Sequence, residues 1–122
     1  MAEVVKLNIR PLPVNPTVDQ GSDTIYVFEI KDALGDAVDL RGYTAKMELR
    51  PFPKAKRVYD TLTTENGRLD IRGGSVTINF PADVSTGYTF TRAVYDLVIV
   101  SQAGTRYRVA EGEVYFRPEV TR

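Results

Sequence analysis

The chain has 122 residues, and its 16 basic and 16 acidic side chains cancel, which argues against a nucleic-acid partner. It contains neither cysteine nor histidine, so disulfides and thiolate metal sites are impossible, and the commonest general base is missing. No apolar run is long enough for a signal peptide or a membrane span, and no membrane partner is expected. This size and an apolar content of 43% predict one soluble globular domain.

A first strand is predicted over residues 4–10, where apolar and polar side chains alternate. Val5, Leu7 and Ile9 share one face, because successive side chains of a strand point to opposite sides. We regard this stripe as a candidate contact surface for a partner.

Three prolines end that strand, Pro11, Pro13 and Pro16. Proline has no backbone N–H and cannot continue a central strand. We therefore assign residues 1–16 to an N-terminal strand and Pro-rich arm, and residues 17–122 to a β-sandwich domain. The arm is either a connector or an extended segment that lies on a neighbouring subunit, with Pro11 and Pro13 in contact.

The next two strands are predicted to be joined by a hairpin loop. Residues 24–31 are apolar on both faces, which indicates a strand covered on both sides at one end. Residues 32–37 carry the glycine and aspartates expected of a hairpin loop. Residues 43–50 then alternate without a fault, which predicts one buried face and one wet face.

Short strands separated by glycine turns are predicted in the middle of the chain, at residues 58–63, 67–71 and 75–80. The basic segment 51–57 before them is either a solvated loop or a lip for an acidic partner surface. Residues 81–92 are the only credible place for a helical turn, which would begin at the proline.

The most apolar strand is predicted at residues 93–100, with Tyr95 packed in the core. Two more strands follow, at residues 105–109 and 110–117, before a proline stops the pattern. Seven or eight short strands with regular turn signals predict an all-β fold, an antiparallel Ig-like β-sandwich with at most one short helical turn.

Few side chains in this sequence suggest chemistry. Glu111 and Glu113 lie on one strand face, yet acids at such positions are usually solvated rather than catalytic. Asp32, Asp36 and Asp39 do not have the spacing of a calcium-binding loop. The serines have no histidine to activate them. We expect no enzymatic activity, no metal and no cofactor.

Two aromatic residues, Tyr88 and Phe90, lie in a loop rich in threonine. Either the loop tucks both rings beneath itself, or they form a protein contact or a platform for a sugar. The last alternative would make the chain a carbohydrate-binding module.

Residues 38–50, with the sequence VDLRGYTAKMELR, resemble a signature of small tailed-bacteriophage virion proteins, in which Val-Asp-Leu-Thr-Gly-Tyr-Thr-Ala precedes a strand. The chain is also similar to the N-terminal domain of baseplate upper proteins, which anchors receptor-binding fibres. Arg41 departs from the usual threonine, at a position expected to be exposed. The similarity extends over residues 22–122 through further segments, at residues 67–71, 74–80, 95–97, 104, 111–114 and 118–122.

The resemblance implies a non-enzymatic structural protein of the virion, made in the host bacterial cytoplasm. Such a protein would act as a tail or baseplate adaptor, attaching fibres or joining neighbouring subunits by sandwich packing and edge contacts. Its partners would be other tail, fibre or capsid proteins, within a multi-copy homo-oligomeric assembly. A capsid decoration protein is the neighbouring alternative. We add Arg117 and Arg122 to the candidate contacts.

Overall fold

The computed structural model describes residues 12–32 and 34–120, so the predicted strand at residues 4–10 lies outside the described part. Within it, the chain forms nine strands and one short helix. In chain order they are β1 (Leu12–Pro13), β2 (Thr17–Asp19), β3 (Thr24–Glu29), β4 (Thr44–Arg50), β5 (Asp60–Thr63), β6 (Leu69–Arg72), β7 (Ser75–Phe80), α1 (Ala82–Thr86), β8 (Arg92–Val100) and β9 (Arg106–Arg117).

The strands form two sheets that pack face to face. The larger sheet has the order β1-β9-β8-β4-β5, with β2 also paired to β9, and the smaller sheet has the order β3-β7-β6. β1 and β2 run parallel to β9, and the other pairs are antiparallel. A β4-β8-β9 layer that faces a β3-β7-β6 layer is the strand arrangement of an Ig-like sandwich, so the predicted fold class is confirmed, with nine strands where seven or eight were predicted.

Alternation along each strand builds the core between the sheets. In β4, Ala45, Met47 and Leu49 are buried while Thr44 and Lys46 are exposed, as the pattern predicts. The buried side chains form one continuous cluster. Its largest fully buried members are Phe80, Phe116, Leu40, Met47, Leu49, Leu62, Leu69, Ile78, Leu97 and Ile99. Tyr95 is also buried, as predicted.

The prediction that a hairpin joins the second and third predicted strands is half right. A turn does form, because the Val38 N–H donates to the Ile30 carbonyl (3.0 Å) and Lys31 bridges Ala37. The strands on either side, however, do not pair: β3 belongs to the smaller sheet and β4 to the larger one. The chain crosses between the layers where the Leu40 N–H donates to the Gly73 carbonyl (3.0 Å).

The last two predicted strands, at residues 105–109 and 110–117, are one continuous strand, β9. Its pairing with β8 shifts register between Leu97 and Val98. Opposite that shift, Val109 and Ala110 are consecutive and both buried, which breaks the alternation along β9. This β-bulge is the reason that the pattern looked like two strands.

The described part of the Pro-rich arm lies on the chain's own larger sheet. The Val14 N–H donates to the Glu111 carbonyl (2.9 Å), and the Tyr115 N–H donates to the Pro16 carbonyl (3.0 Å). Between these two bonds, the Asn15 side chain accepts from the Glu113 N–H (2.9 Å). Residues 12–16 are therefore part of this sheet, and for them the prediction of a segment that lies on a neighbouring subunit is wrong.

The predicted helical turn is α1, a helix of five residues between β7 and β8. Asp23 accepts a hydrogen bond from the Ala82 N–H (2.7 Å), which satisfies one of the free donors at the start of the helix. At its other end, the Gln20 side chain donates to the carbonyls of Ser85 and Tyr88, both at 3.0 Å. The helix is thus fastened to the turn between β2 and β3.

Candidate functional site

The outer face of β3 carries two large apolar side chains in solvent. Ile25 is 62% exposed and Val27 is 59% exposed. Their neighbours on β7 are the polar Asn79 and Thr77. The prediction that this strand is covered on both faces is wrong, because no described element lies over this side of the smaller sheet. The result is an apolar patch on a strand that also forms the sheet edge.

The backbone of β3 is open along that edge. The Ile30 N–H donates to the Gly74 carbonyl (2.8 Å) on the side of β7. In an antiparallel ladder the backbone groups of alternate residues point to opposite sides, so those of Ile25, Val27 and Glu29 point away from β7. Within residues 12–32 and 34–120 no strand pairs with this side of β3. We call β3 and its free backbone groups the open edge.

The far side of the sandwich is closed by the chain itself. β5 has only four residues, and the turn after it leads directly into β6 in the other layer. In this turn the Thr63 N–H donates to Asn66 Oδ1 (3.0 Å), and the Asn66 amide donates to the Thr61 carbonyl (3.0 Å). Short strands joined by a bonded turn offer little length for an added strand.

Tyr88 and Phe90 do not form an exposed platform. The Phe90 ring is stacked between Tyr59, at 3.9 Å between ring centroids, and Tyr88, at 4.7 Å. The rings of Tyr88 and Phe90 also contact the Phe116 ring edge to face. The prediction that the loop tucks its rings beneath itself is confirmed, and Phe90 has no free face against which a sugar could stack.

A partly buried polar cluster fixes the Tyr88 ring. Its hydroxyl donates to Asp60, and Arg68 donates both to Asp60 (3.1 Å) and to the Tyr88 hydroxyl (3.3 Å). Burial, together with the nearby Asp60 carboxylate, raises the pKa of Tyr88 to about 12. Sequence reasoning missed this cluster, because nothing in the spacing of the three residues relates them. The cluster joins β5, the turn before β6 and the loop after α1.

Arg117, a predicted contact residue, forms an ion pair with Asp19 of the same chain, and both side chains stay exposed. The guanidinium holds the pKa of the Asp19 carboxyl below its ordinary value through this hydrogen bond. The predicted contact residue Pro13 pairs through its backbone with Glu111 in β9. The other predicted contacts lie outside the described residues, namely Val5, Leu7, Ile9, Pro11 and Arg122.

The outer face of the larger sheet is covered by ion pairs. Arg108 contacts Asp96 (3.4 Å) and Glu111 (3.9 Å), and Arg92 contacts Glu113. Hydrogen bonds from Arg92 and Tyr115 hold the pKa of the Glu113 carboxyl below its ordinary value. Glu111 and Glu113 are thus each paired with an arginine, and the pKa of Glu113 is shifted in the opposite direction to the one that a general acid needs.

The turn aspartates are likewise engaged with the protein. Asp32 accepts from the N–H groups of Leu34 (2.9 Å) and Asp36 (3.0 Å), and Asp39 pairs with Arg41. Across residues 12–32 and 34–120, no group of three or more potential ligands is placed to hold a metal ion. No helix in the same ranges has the length and apolarity needed to cross a membrane.

Comparison with models of known protein families gives no match, and no curated protein matches the chain significantly. The structure shows the role of residues 38–50 in the fold. Val38 and Leu40 are buried in the crossing between the two sheets, while Arg41 lies on the exposed turn, as expected. These residues build the sandwich rather than a binding site.

Proposed function

We propose that this chain is a non-enzymatic structural protein of a tailed-bacteriophage virion. It joins neighbouring subunits in the tail, the baseplate or a fibre attachment through sandwich packing and edge contacts. The observation that carries the proposal is the open edge, where exposed apolar side chains and free backbone groups coincide in β3. Soluble domains ordinarily blunt such an edge, because an edge left open is a template on which another chain can pair.

The resemblance of residues 38–50 to virion proteins supports the phage assignment. The Ig-like sandwich in which these residues form the crossing between sheets agrees with it. The aromatic packing around Phe90 weighs against a carbohydrate-binding module. Whether the protein belongs to the tail or decorates the capsid is a question for imaging of particles, in which a labelled copy is located directly.

Incorporation into particles tests the proposal, and the structure defines the truncation. Removal of residues 1–11 leaves every described strand intact, whereas removal of residues 1–16 also deletes the carbonyls of Val14 and Pro16, which accept hydrogen bonds from the larger sheet. We expect the protein without residues 1–11 to fold but to be lost from assembled particles, because the alternating 4–10 segment is the predicted contact.

A circular dichroism spectrum and an unfolding curve supply the control for folding. Normal incorporation of the folded truncated protein contradicts the predicted role of this segment. Absence of the full-length protein from purified particles contradicts the proposed function as a whole.

A further inference from the structure

Two features of the open edge decide which partner fits it. First, the outward backbone groups belong to odd-numbered residues, Ile25, Val27 and Glu29. Second, the same residues present their side chains on the outer face of the sheet. A strand added here must therefore hydrogen-bond opposite these residues and place its own side chains beside Ile25 and Val27.

Charges at the two ends of the strand make the edge complementary to itself. Asp23 precedes β3 and Lys31 follows it, and both are exposed. The Asp23 carboxylate also accepts the hydrogen bond from the Ala82 N–H at the start of α1. Lys31 is held along this face by Glu29, at 3.7 Å, and its side chain stays 55% exposed. An antiparallel copy of the same strand brings the acidic end of one chain to the basic end of the other.

We propose that two copies of this chain pair antiparallel through β3 about a two-fold axis at Val27. In this register Val27 lies opposite Val27 of the partner subunit, and Asp23 lies opposite Lys31 of the partner subunit. Val27 then forms a hydrogen-bonded pair across the axis, because its N–H and C=O both point to the edge. Two three-stranded sheets become one sheet of six strands, with the apolar patches adjoining on its outer face.

Neighbouring registers fit less well. A shift of the axis to Tyr26 places Asp23 opposite Glu29 of the partner subunit, twice over, and like charges directly opposite each other destabilise a sheet. A shift to Ile25 sets Val27 opposite Asp23 of the partner subunit, so Asp23 no longer faces Lys31. The axis at Val27 sets Ile25 opposite Glu29 of the partner subunit but keeps both pairs of opposite charge. Only the axis at Val27 combines the outward backbone groups with opposite charges at both ends.

The inference rests on the proposed function as an assembly protein, and it names a second copy of the chain as one of the partners. It concerns the purified protein in solution, so it is tested without particles. A variant that no longer dimerises should still be incorporated into particles through other contacts. A protein that dimerises in solution but is absent from particles would refute the proposed function and leave the dimer proposal standing.

The oligomeric state is the first test. Sedimentation equilibrium of the full-length protein should give a dimer, and Val27→Lys should weaken it roughly 100-fold, because two ammonium groups meet at the axis in place of two apolar side chains. Leu34→Lys is the matched control: Leu34 is 87% exposed but lies in the loop beyond the strand, so the dimer should persist.

A charge reversal tests the paired ends. Lys31→Glu should weaken the dimer roughly three- to tenfold by facing Asp23 of the partner subunit with a like charge, and added salt should reduce the difference. Lys46→Glu makes the same change of charge on the exposed face of the larger sheet, and it should leave the dimer unaltered.

Single cysteines test the register, since the chain has no cysteine of its own. Val27→Cys places two thiols opposite each other with Cα atoms about 5.5 Å apart, within disulfide reach, so oxidation should give a covalent dimer. Ile25→Cys places them four residues out of step, roughly 14 Å apart, and should not crosslink.

A monomeric full-length protein overturns the proposal, as does a dimer that withstands Val27→Lys. Crosslinking through Ile25→Cys but not through Val27→Cys overturns the register. A dimer that disappears when residues 1–11 are removed also overturns it, because the N-terminal segment and not β3 would then hold the copies together.

Discussion

Two strand edges lie side by side on one flank of the sandwich, and they are treated in opposite ways. The larger sheet ends there in β1 and β2, and the smaller sheet ends in β3. The Tyr26 hydroxyl joins them, since it donates to the Thr17 carbonyl (2.7 Å) and accepts from the Thr17 N–H (3.0 Å). The first edge is protected and the second is open, although the Tyr26 side chain alone is long enough to reach from one to the other.

Protection of the first edge comes from interruption. It consists of strands of two and three residues, with Asn15 and Pro16 between them, and its outer end is held by the pair of Arg117 with Asp19. By contrast, β3 has six residues without a proline and two exposed apolar side chains. Substitutions on the first edge should therefore change the stability of the fold, whereas substitutions on β3 should change the association of the chain with a partner.

The largest loss of stability is expected from Gly112→Ala. Gly112 lies in β9 beside the segment that connects β1 and β2. Gly112 has φ +153°, and an added Cβ would collide with the Val14 carbonyl and approach Asn15 Oδ1 to 2.7 Å. We expect a loss of roughly 2–3 kcal/mol in the free energy of unfolding, measured by urea denaturation. Gly104→Ala is the control, because its φ is also positive but nothing lies within 4 Å of the new Cβ. Equal losses for the two variants would show that the close approach has no energetic weight.

A smaller loss is expected from Tyr95→Phe. The buried Tyr95 hydroxyl donates to the Val14 carbonyl (2.6 Å) and so fixes the first edge from inside the sandwich. Its removal should cost about 1 kcal/mol, since the ring volume is kept and one hydrogen bond is lost. Hydrogen exchange should rise at the Val14 amide and not at the amides of β3. Unchanged exchange at Val14 would contradict this role.

Alkaline pH should weaken the fold through two tyrosines. Burial raises the pKa of Tyr95 to about 12, and burial with the Asp60 carboxylate raises that of Tyr88 to about 12, from an ordinary 10.0. A raised acid pKa favours the protonated folded state, so the contribution is complete below pH 10 and is lost as pH rises from 10 to about 12. Urea midpoints should fall across that window, and less steeply in Tyr88→Phe. A midpoint independent of pH there would refute the assignment.

The smallest effect is expected from Arg117→Ala. Arg117 and Asp19 are both exposed, and exposed ion pairs contribute little to stability. The urea midpoint should stay within the error of its measurement, while the pKa of Asp19, followed by NMR, should return toward its ordinary value. A clear loss of stability would mean that this pair, and not the strand interruption, protects the first edge.

Much of the fold was predictable because alternation records which face of a strand is buried. β4, β7 and α1 appear where the sequence predicts them. Alternation does not record which strand is the neighbour, however, and the placement of β3 and β4 in different sheets was missed for that reason. The β-bulge at Val109 and Ala110 was missed because an extra residue looks, in one dimension, like the end of a strand.

The open edge was only partly predictable. Its apolar residues Ile25 and Val27 were recognised, but apolar side chains on both faces of a strand are equally typical of burial and of an interface. Only the arrangement of the smaller sheet, with β3 outermost, separates the two interpretations. The polar cluster of Asp60, Arg68 and Tyr88 had no sequence signal at all, since its members are far apart in the sequence and only the fold brings them together.

The parallel pairing of β1 with β9 has a mechanical consequence. Leu12 stands beside Ala110, seven residues before the end of β9 at Arg117, which is about 23 Å along the strand. The described chain therefore enters and leaves the sandwich at separated levels, and a pull applied at both ends would load the hydrogen bonds of these strands in shear. Bonds loaded in shear must break together rather than one after another, so such a pull would meet more resistance than one that separates the strands bond by bond.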